Sequence, residues 1–207
     1  MKLIAALCLL ALSFTARSQK LKISGGISYS KLNWKTTGPD NRYFEKPYLG
    51  YTAGIGIEYL RLGIVNLSSN IEYLRKGGID TIYYTDAMGN NLFQKEEAVI
   101  FNFVNANTYA KIKIPTGGKL RPFISLGVYA GFMVSANKLA GDIGEYKRFN
   151  TGAVTGIGAG YKILGRQIGL EIQYLPSFTP LFDKPTATGS TKKVTDRTVT
   201  AKAFFIL

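Results

Sequence analysis

Residues 48–62 read Tyr-Leu-Gly-Tyr-Thr-Ala-Gly-Ile-Gly-Ile-Glu-Tyr-Leu-Arg-Leu, and they alternate between two kinds of side chain. Leu49, Tyr51, Ala53, Ile55, Ile57 and Tyr59 fall on one face of an extended chain, and Gly50, Thr52, Gly54, Gly56 and Glu58 on the other. Period two is the signature of a β-strand, whose successive side chains point to opposite sides of the sheet. The unusual point is which face is crowded. The apolar set is large and the other set is small and polar, which suits a sheet with lipid on one side and a narrow polar lumen on the other.

Seven further segments carry the same alternation. Residues 21–32 place Leu21, Ile23, Ile27 and Tyr29 opposite Lys22, Ser24, Gly26 and Ser28. Residues 65–76 place Val65, Leu67, Ile71 and Tyr73 outward, with Asn66, Ser68, Asn70 and Glu72 inward. Residues 120–135 turn Ile124, Leu126, Val128, Ala130 and Phe132 outward and Arg121, Ser125, Gly127 and Gly131 inward. Residues 151–163, 167–175 and 194–207 follow suit, with Gly169, Glu171 and Gln173 inward. The segment 98–114 is also a strand, although Val99-Ile100-Phe101 and Phe103-Val104 interrupt its alternation.

The connections set the architecture. Polar loops at 33–47, 77–97, 136–150 and 176–193 alternate with short turns at 61–64, 116–119 and 164–166. Long loops at one end and tight turns at the other predict an all-β fold, an eight-stranded antiparallel up-and-down transmembrane β-barrel. Eight is the smallest usual strand number, and side chains fill the interior of such a barrel.

The first eighteen residues read differently. Lys2 precedes an apolar run from Leu3 to Leu12, and Ala16-Arg17-Ser18 is a small-x-small cleavage site. The run is too short for the ~20 residues of a spanning helix. Residues 1–18 are therefore expected to be a signal peptide and residues 19–207 the barrel domain. Cleavage removes Cys8, the single cysteine.

The chain also resembles a known family. Asn70-Ile71-Glu72-Tyr73-Leu74-Arg75-Lys76-Gly77, then Ile114-Pro115 with Arg121-Pro122-Phe123-Ile124-Ser125-Leu126-Gly127, resemble the PorT-like outer-membrane β-barrel proteins of Bacteroidota. Gly158-Ala159-Gly160 and Gly169-Leu170-Glu171 belong to the same resemblance, and Gln19 after the cleavage site fits that group's exported proteins. It implies an outer-membrane barrel of a Gram-negative bacterium. It also implies, as a second possibility, an accessory subunit of a protein export or envelope-assembly machine.

Candidate chemistry is sparse. Glu58, Glu72 and Glu171 have inward parity, with Arg121 and Lys162 as expected counter-charges. Ionisable groups at membrane depth are often functional, but in so narrow a lumen they are expected to pair with one another as a plug. The sequence has no histidine, so it offers no Ser-His triad and no histidine metal site. The stretch from Asp80 to Asp86 lacks the ligand periodicity of a calcium loop. No catalytic residue, metal or cofactor is expected.

Charge is the other signal. Lysine and arginine number 26 against 13 acidic residues, a net +13 that falls to +11 when Lys2 and Arg17 leave with the signal. The external loops contribute Arg42, Lys46, Lys147, Arg148, Lys192 and Lys193. An exported barrel does not meet nucleic acid, so outer-membrane lipid and the phosphates of lipopolysaccharide are the expected partners, followed by an envelope protein. Tyr29, Tyr48, Tyr51, Tyr59, Tyr73, Tyr161 and Tyr174 are placed as interfacial girdle residues. The function expected is a non-enzymatic structural or interaction role at the cell envelope. A soluble periplasmic lipocalin-like binding barrel is the other reading, and it would need a hollow apolar lumen.

Overall fold

A computed structural model describes residues 19–36, 46–86, 88, 91–137, 146–185 and 191–207. The expected signal segment and Arg42 lie outside these residues. Among the described residues nine strands follow in order: β1 (Lys20–Thr36), β2 (Lys46–Leu62), β3 (Val65–Thr85), β4 (Asn91–Lys113), β5 (Leu120–Ala136), β6 (Phe149–Ile163), β7 (Arg166–Pro176), β8 (Phe182–Pro185) and β9 (Thr191–Ile206). Each pairs antiparallel with its sequence neighbour from β1 to β7, and β9 pairs with both β7 and β1. The sheet thus closes on itself through eight long strands. The four-residue β8 pairs only with the loop end of β9, from Phe182 opposite Val194 to Pro185 opposite Thr191.

The alternation sets the two faces as the sequence predicts. Leu21, Ile23, Ile27 and Tyr29 are exposed on the outside of β1, while Lys22, Ser24 and Ser28 are buried inside. Leu49, Ile55, Leu126, Ile157 and Leu170 continue the apolar outer belt around the sheet. A hollow apolar interior, which a lipocalin-like barrel requires, is not what this sheet encloses. The inner face is mostly polar and charged, and its apolar residues form three compact clusters.

Two of the short turns have a defined local cause. Leu164 and Gly165 both have positive φ, 47° and 82°, the two-residue turn whose twist matches that of a hairpin. Gly63 (φ 59°) opens the equivalent turn between β2 and β3. The loop ends of β3 and β4 differ from expectation. Residues 77–97 read as a polar loop, yet β3 runs to Thr85 and β4 starts at Asn91, paired in register from Gly77–Ile100 to Tyr84–Phe93. This hairpin stands beyond the apolar belt, where water wets both faces and no alternation is required. Its β-branched and aromatic residues (Ile79, Thr81, Ile82, Tyr83, Tyr84, Thr85) favour strand without it.

Strand β4 also explains its own irregular pattern. Val99, Phe101 and Phe103 point inward and join Leu32, Leu74, Met133, Leu181 and Val194 in an apolar cluster under the loops. Tyr109, Tyr129, Val154 and Leu175 form a second cluster deeper in the barrel. Phe123, Phe204 and Ile206 form a third near the short turns.

Candidate functional site

The charged residues of the inner face lie between these apolar layers. Eight charged side chains are buried among the described residues: Lys22, Lys76, Lys111 and Lys202 against Glu58, Glu72, Glu171 and Asp196. They form four ion pairs, so the interior carries no net charge. Lys22 Nζ lies 2.8 Å from Glu171, Lys111 Nζ 2.6 Å from Glu58, Lys202 Nζ 2.7 Å from Glu72 and Lys76 Nζ 2.8 Å from Asp196.

Three of these pairs are buried at mid-depth, and two of them share one chain of hydrogen bonds. Lys22 donates to Tyr109 Oη and to Glu171 Oε2, each at 2.8 Å. Gln173 donates to the other oxygen of Glu171. Lys202 donates to Gln173 Oε1 and to Glu72 Oε1, each at 2.7 Å. Asn107 donates to Glu72 Oε2 at 2.7 Å. The chain therefore leaves β4 at Tyr109, crosses β1, β7, β9 and β3, and returns to β4 at Asn107. Lys111 over the Phe123 ring (4.9 Å) and Lys22 over the Phe204 ring (5.1 Å) add cation–π contacts towards the short turns.

The fourth pair belongs to a separate group nearer the loops. Asp196 takes Lys76 on one oxygen and Asn150 on the other, at 2.8 and 3.2 Å. Asn150 Oδ1 accepts from Tyr129 Oη at 2.8 Å. Lys76 Nζ also sits 4.0 Å above the Phe103 ring. What these arrangements do chemically is neutralise and cross-link. Each buried carboxylate is held by an ammonium, and each ammonium ties together strands that are distant in sequence.

The expected site residues divide clearly. Glu58, Glu72 and Glu171 are buried on the inner face. Arg121 has the inward parity expected of it but not the depth: it is exposed at the turn end, and lysines neutralise the acids. Lys162 is exposed at the same end. The lysines carried a signal in their parity, since Lys22, Lys111 and Lys202 all alternate with outward apolar residues. What the sequence does not supply is which acid each would meet across the barrel.

Among the basic residues expected at the loop end, Lys46 is already engaged. It donates to Glu96 and to Thr81, each at 2.7 Å, and the Glu96 carboxylate holds its ammonium above the usual lysine range. Lys147, Arg148 and Lys193 are exposed. Lys192 lies in β9, opposite Thr36 and Lys184. A closer arrangement was not singled out in the sequence. Lys31 and Arg197, both exposed and outward, stand directly opposite each other in the β1–β9 register. Tyr29, paired with Val199, lies one outward position below them.

Comparison with solved structures finds similar barrels at low identity. Neisserial surface protein A is 14% identical, with a TM-score of 0.43, covering 89% of this chain and 95% of that one. The attachment invasion locus protein Ail of Yersinia pestis, in complex with the heparin analogue sucrose octasulfate, is 11% identical, with a TM-score of 0.35 and coverage of 89% and 98%. The N-terminal β-barrel domain of Pseudomonas aeruginosa OprF is 15% identical, with a TM-score of 0.39 and coverage of 87% and 96%. Comparison with curated proteins finds no match. Residues 16–183 match the family described as outer membrane protein beta-barrel domain, and the chain, with its closed sheet and apolar outer belt, belongs to that family.

Proposed function

We propose that this chain is a non-enzymatic outer-membrane barrel with a plugged lumen, exported on residues 1–18 as a cleaved signal and holding the outer leaflet through its loop end. Its partners there are the phosphates of lipopolysaccharide. The observation that carries this reading is the apposition of Lys31 and Arg197 just above Tyr29. Like charges directly opposite on neighbouring strands repel, and neither residue has an ion pair among the described residues. A multivalent phosphate at the membrane surface converts that repulsion into binding. The four matched ion pairs support the plug, because they leave no uncompensated charge to draw an ion through. The absence of histidine from the sequence supports the non-enzymatic reading.

The test compares the folded barrel in vesicles with and without lipopolysaccharide, using the shift between heated and unheated gel bands. Lipopolysaccharide should raise the temperature at which the compact band is lost, and Lys31→Gln with Arg197→Gln should remove most of that gain. An equal midpoint with and without lipopolysaccharide would end this reading. Planar-bilayer recordings should show no steady conductance.

A second reading has its own observation. The β3–β4 hairpin that stands beyond the barrel exposes Tyr83, Met88, Leu92 and Phe93, and stacks Tyr84 on Phe93 at 4.5 Å. An apolar projection of this kind suits a protein partner, and the PorT-like resemblance to Bacteroidota barrels would make that partner part of an export or envelope-assembly machine. A photo-crosslinker at Leu92 that captures one envelope protein in cells supports it, and capture of lipid alone argues against it.

A further inference from the structure

The short-turn end of the barrel has a more one-sided charge than the loop end. No aspartate or glutamate lies in residues 60–65, 112–121, 161–168 or 206–207. Lys119, Arg121 and Lys162 lie here, all exposed. Lys162 N–H donates to the Lys119 carbonyl at 3.1 Å, one step beyond the Leu120–Tyr161 pair, so two lysines face each other at the end of the β5–β6 ladder. Arg121 stands opposite Gly160, on the same face as Lys119.

Apolar side chains are interleaved with these cations. A cleft of about 760 Å³ between the 114–119 and 164–165 turns is lined by Lys119, Arg121 and Lys162 together with Tyr161, Ile163 and Leu164. A neighbouring cleft of about 400 Å³ has Arg121 beside Ile64 and Ile114. Leu164 is the most telling residue. It is 97% exposed and holds a left-handed backbone conformation with φ 47°. Neither water nor the backbone favours leucine there, since a side chain in that region crowds the following carbonyl oxygen. An apolar layer around the turn would account for it.

We propose that this end binds the headgroup of an anionic phospholipid in the inner leaflet, with Lys119, Arg121 and Lys162 on the phosphate and Leu164 and Ile163 against the lipid body. The cations and the apolar turn tips together match an amphipathic anion, which neither a free phosphate nor a cell-wall polymer is. The assignment rests on the outer-membrane placement, with the short turns facing the periplasm, and does not depend on lipopolysaccharide binding at the other end.

The test is native mass spectrometry of the full-length folded barrel released from vesicles of phosphatidylglycerol and phosphatidylcholine in equal amounts. The protein should retain phosphatidylglycerol preferentially, and the Lys119→Gln, Arg121→Gln, Lys162→Gln triple variant should lose at least about tenfold of that preference. The Lys31→Gln, Arg197→Gln variant should keep it, which separates this site from the loop-end reading. Leu164→Asn should relieve the turn and raise stability in detergent while lowering lipid retention, an outcome that a purely structural leucine does not give. If the triple variant fails to fold, Lys119→Gln and Lys162→Gln are each read alone. Equal retention of both lipids by the unaltered protein would overturn the proposal. So would an unchanged lipid ratio in the variants combined with lost binding to isolated cell-wall sacculi, which would assign the cations to the cell wall.

Discussion

Lys202 Nζ lies 2.7 Å from Glu72 Oε1 and ties the last strand to the third across the interior of the barrel. Both side chains are almost fully buried, and Glu72 is held on its other oxygen by Asn107. Glu72→Ala would leave Lys202 buried with Gln173 as its remaining partner. Removing one member of such a pair typically costs about 3–5 kcal/mol. Urea titration of the barrel in vesicles should show that loss. The double variant Glu72→Leu, Lys202→Met should recover most of it, because the penalty comes from the stranded charge and not from the missing attraction. A double variant as unstable as Glu72→Ala would mean that the hydrogen-bond chain itself holds the strands.

Not every inward polar residue should matter equally. Asn105 is buried on β4, and neither of its amide atoms has a hydrogen-bond partner among the described residues. A buried amide without a partner costs free energy, so an apolar side chain of similar size should be accepted there. Asn105→Leu is expected to be neutral or stabilising by about 1 kcal/mol in the same titration. A loss above about 2 kcal/mol would show that Asn105 has a partner in the membrane-embedded protein.

The contrast between Lys202 and Asn105 also marks what a sequence can carry. Alternation along residues 48–62 and 65–76 was enough to assign each side chain to a face, because period two is local to one strand. Glu58 and Glu72 have inward parity in those two segments and are buried. Depth along the strand is a different quantity, set by how the strands are staggered around the closed sheet. Arg121 has inward parity yet stands at the mouth, and Lys111 has the same parity and lies deep. Partner choice across the lumen depends on the closure itself: Lys22 meets Glu171 across 149 positions of sequence. The extended β3–β4 hairpin was missed for a related reason, since outside the belt there is no apolar face to announce a strand.

Depth can be tested from the outer face as well. Leu126 lies near the middle of β5 and Leu120 at its turn end, and both are outward-facing and exposed. An arginine at the bilayer midplane of a barrel costs about 2–4 kcal/mol, and one near the interface about 0–1 kcal/mol. Leu126→Arg should therefore destabilise the barrel in vesicles by the larger amount and Leu120→Arg by the smaller. Equal effects at both positions would mean that the belt is not centred on Leu126.

Two adjacent glycines on β1 offer the sharpest test of closure, because they face opposite sides of the same strand. Gly26 is turned inward at the seam between β1 and β9, opposite Lys202, and a Cβ added there would collide with the Ala201 carbonyl and the Lys202 backbone. That contact is backbone against backbone, so no side chain can move aside to relieve it. Gly25 is exposed on the outer face, where an added Cβ meets only the Thr52 carbonyl at 3.9 Å. Gly26→Val should block closure and abolish the compact unheated gel band. Gly25→Val should keep that band and gain about 0.5–1 kcal/mol, since glycine weakens a strand and valine favours one. A folded Gly26→Val barrel would show that β1 and β9 can separate enough at the seam to take a side chain.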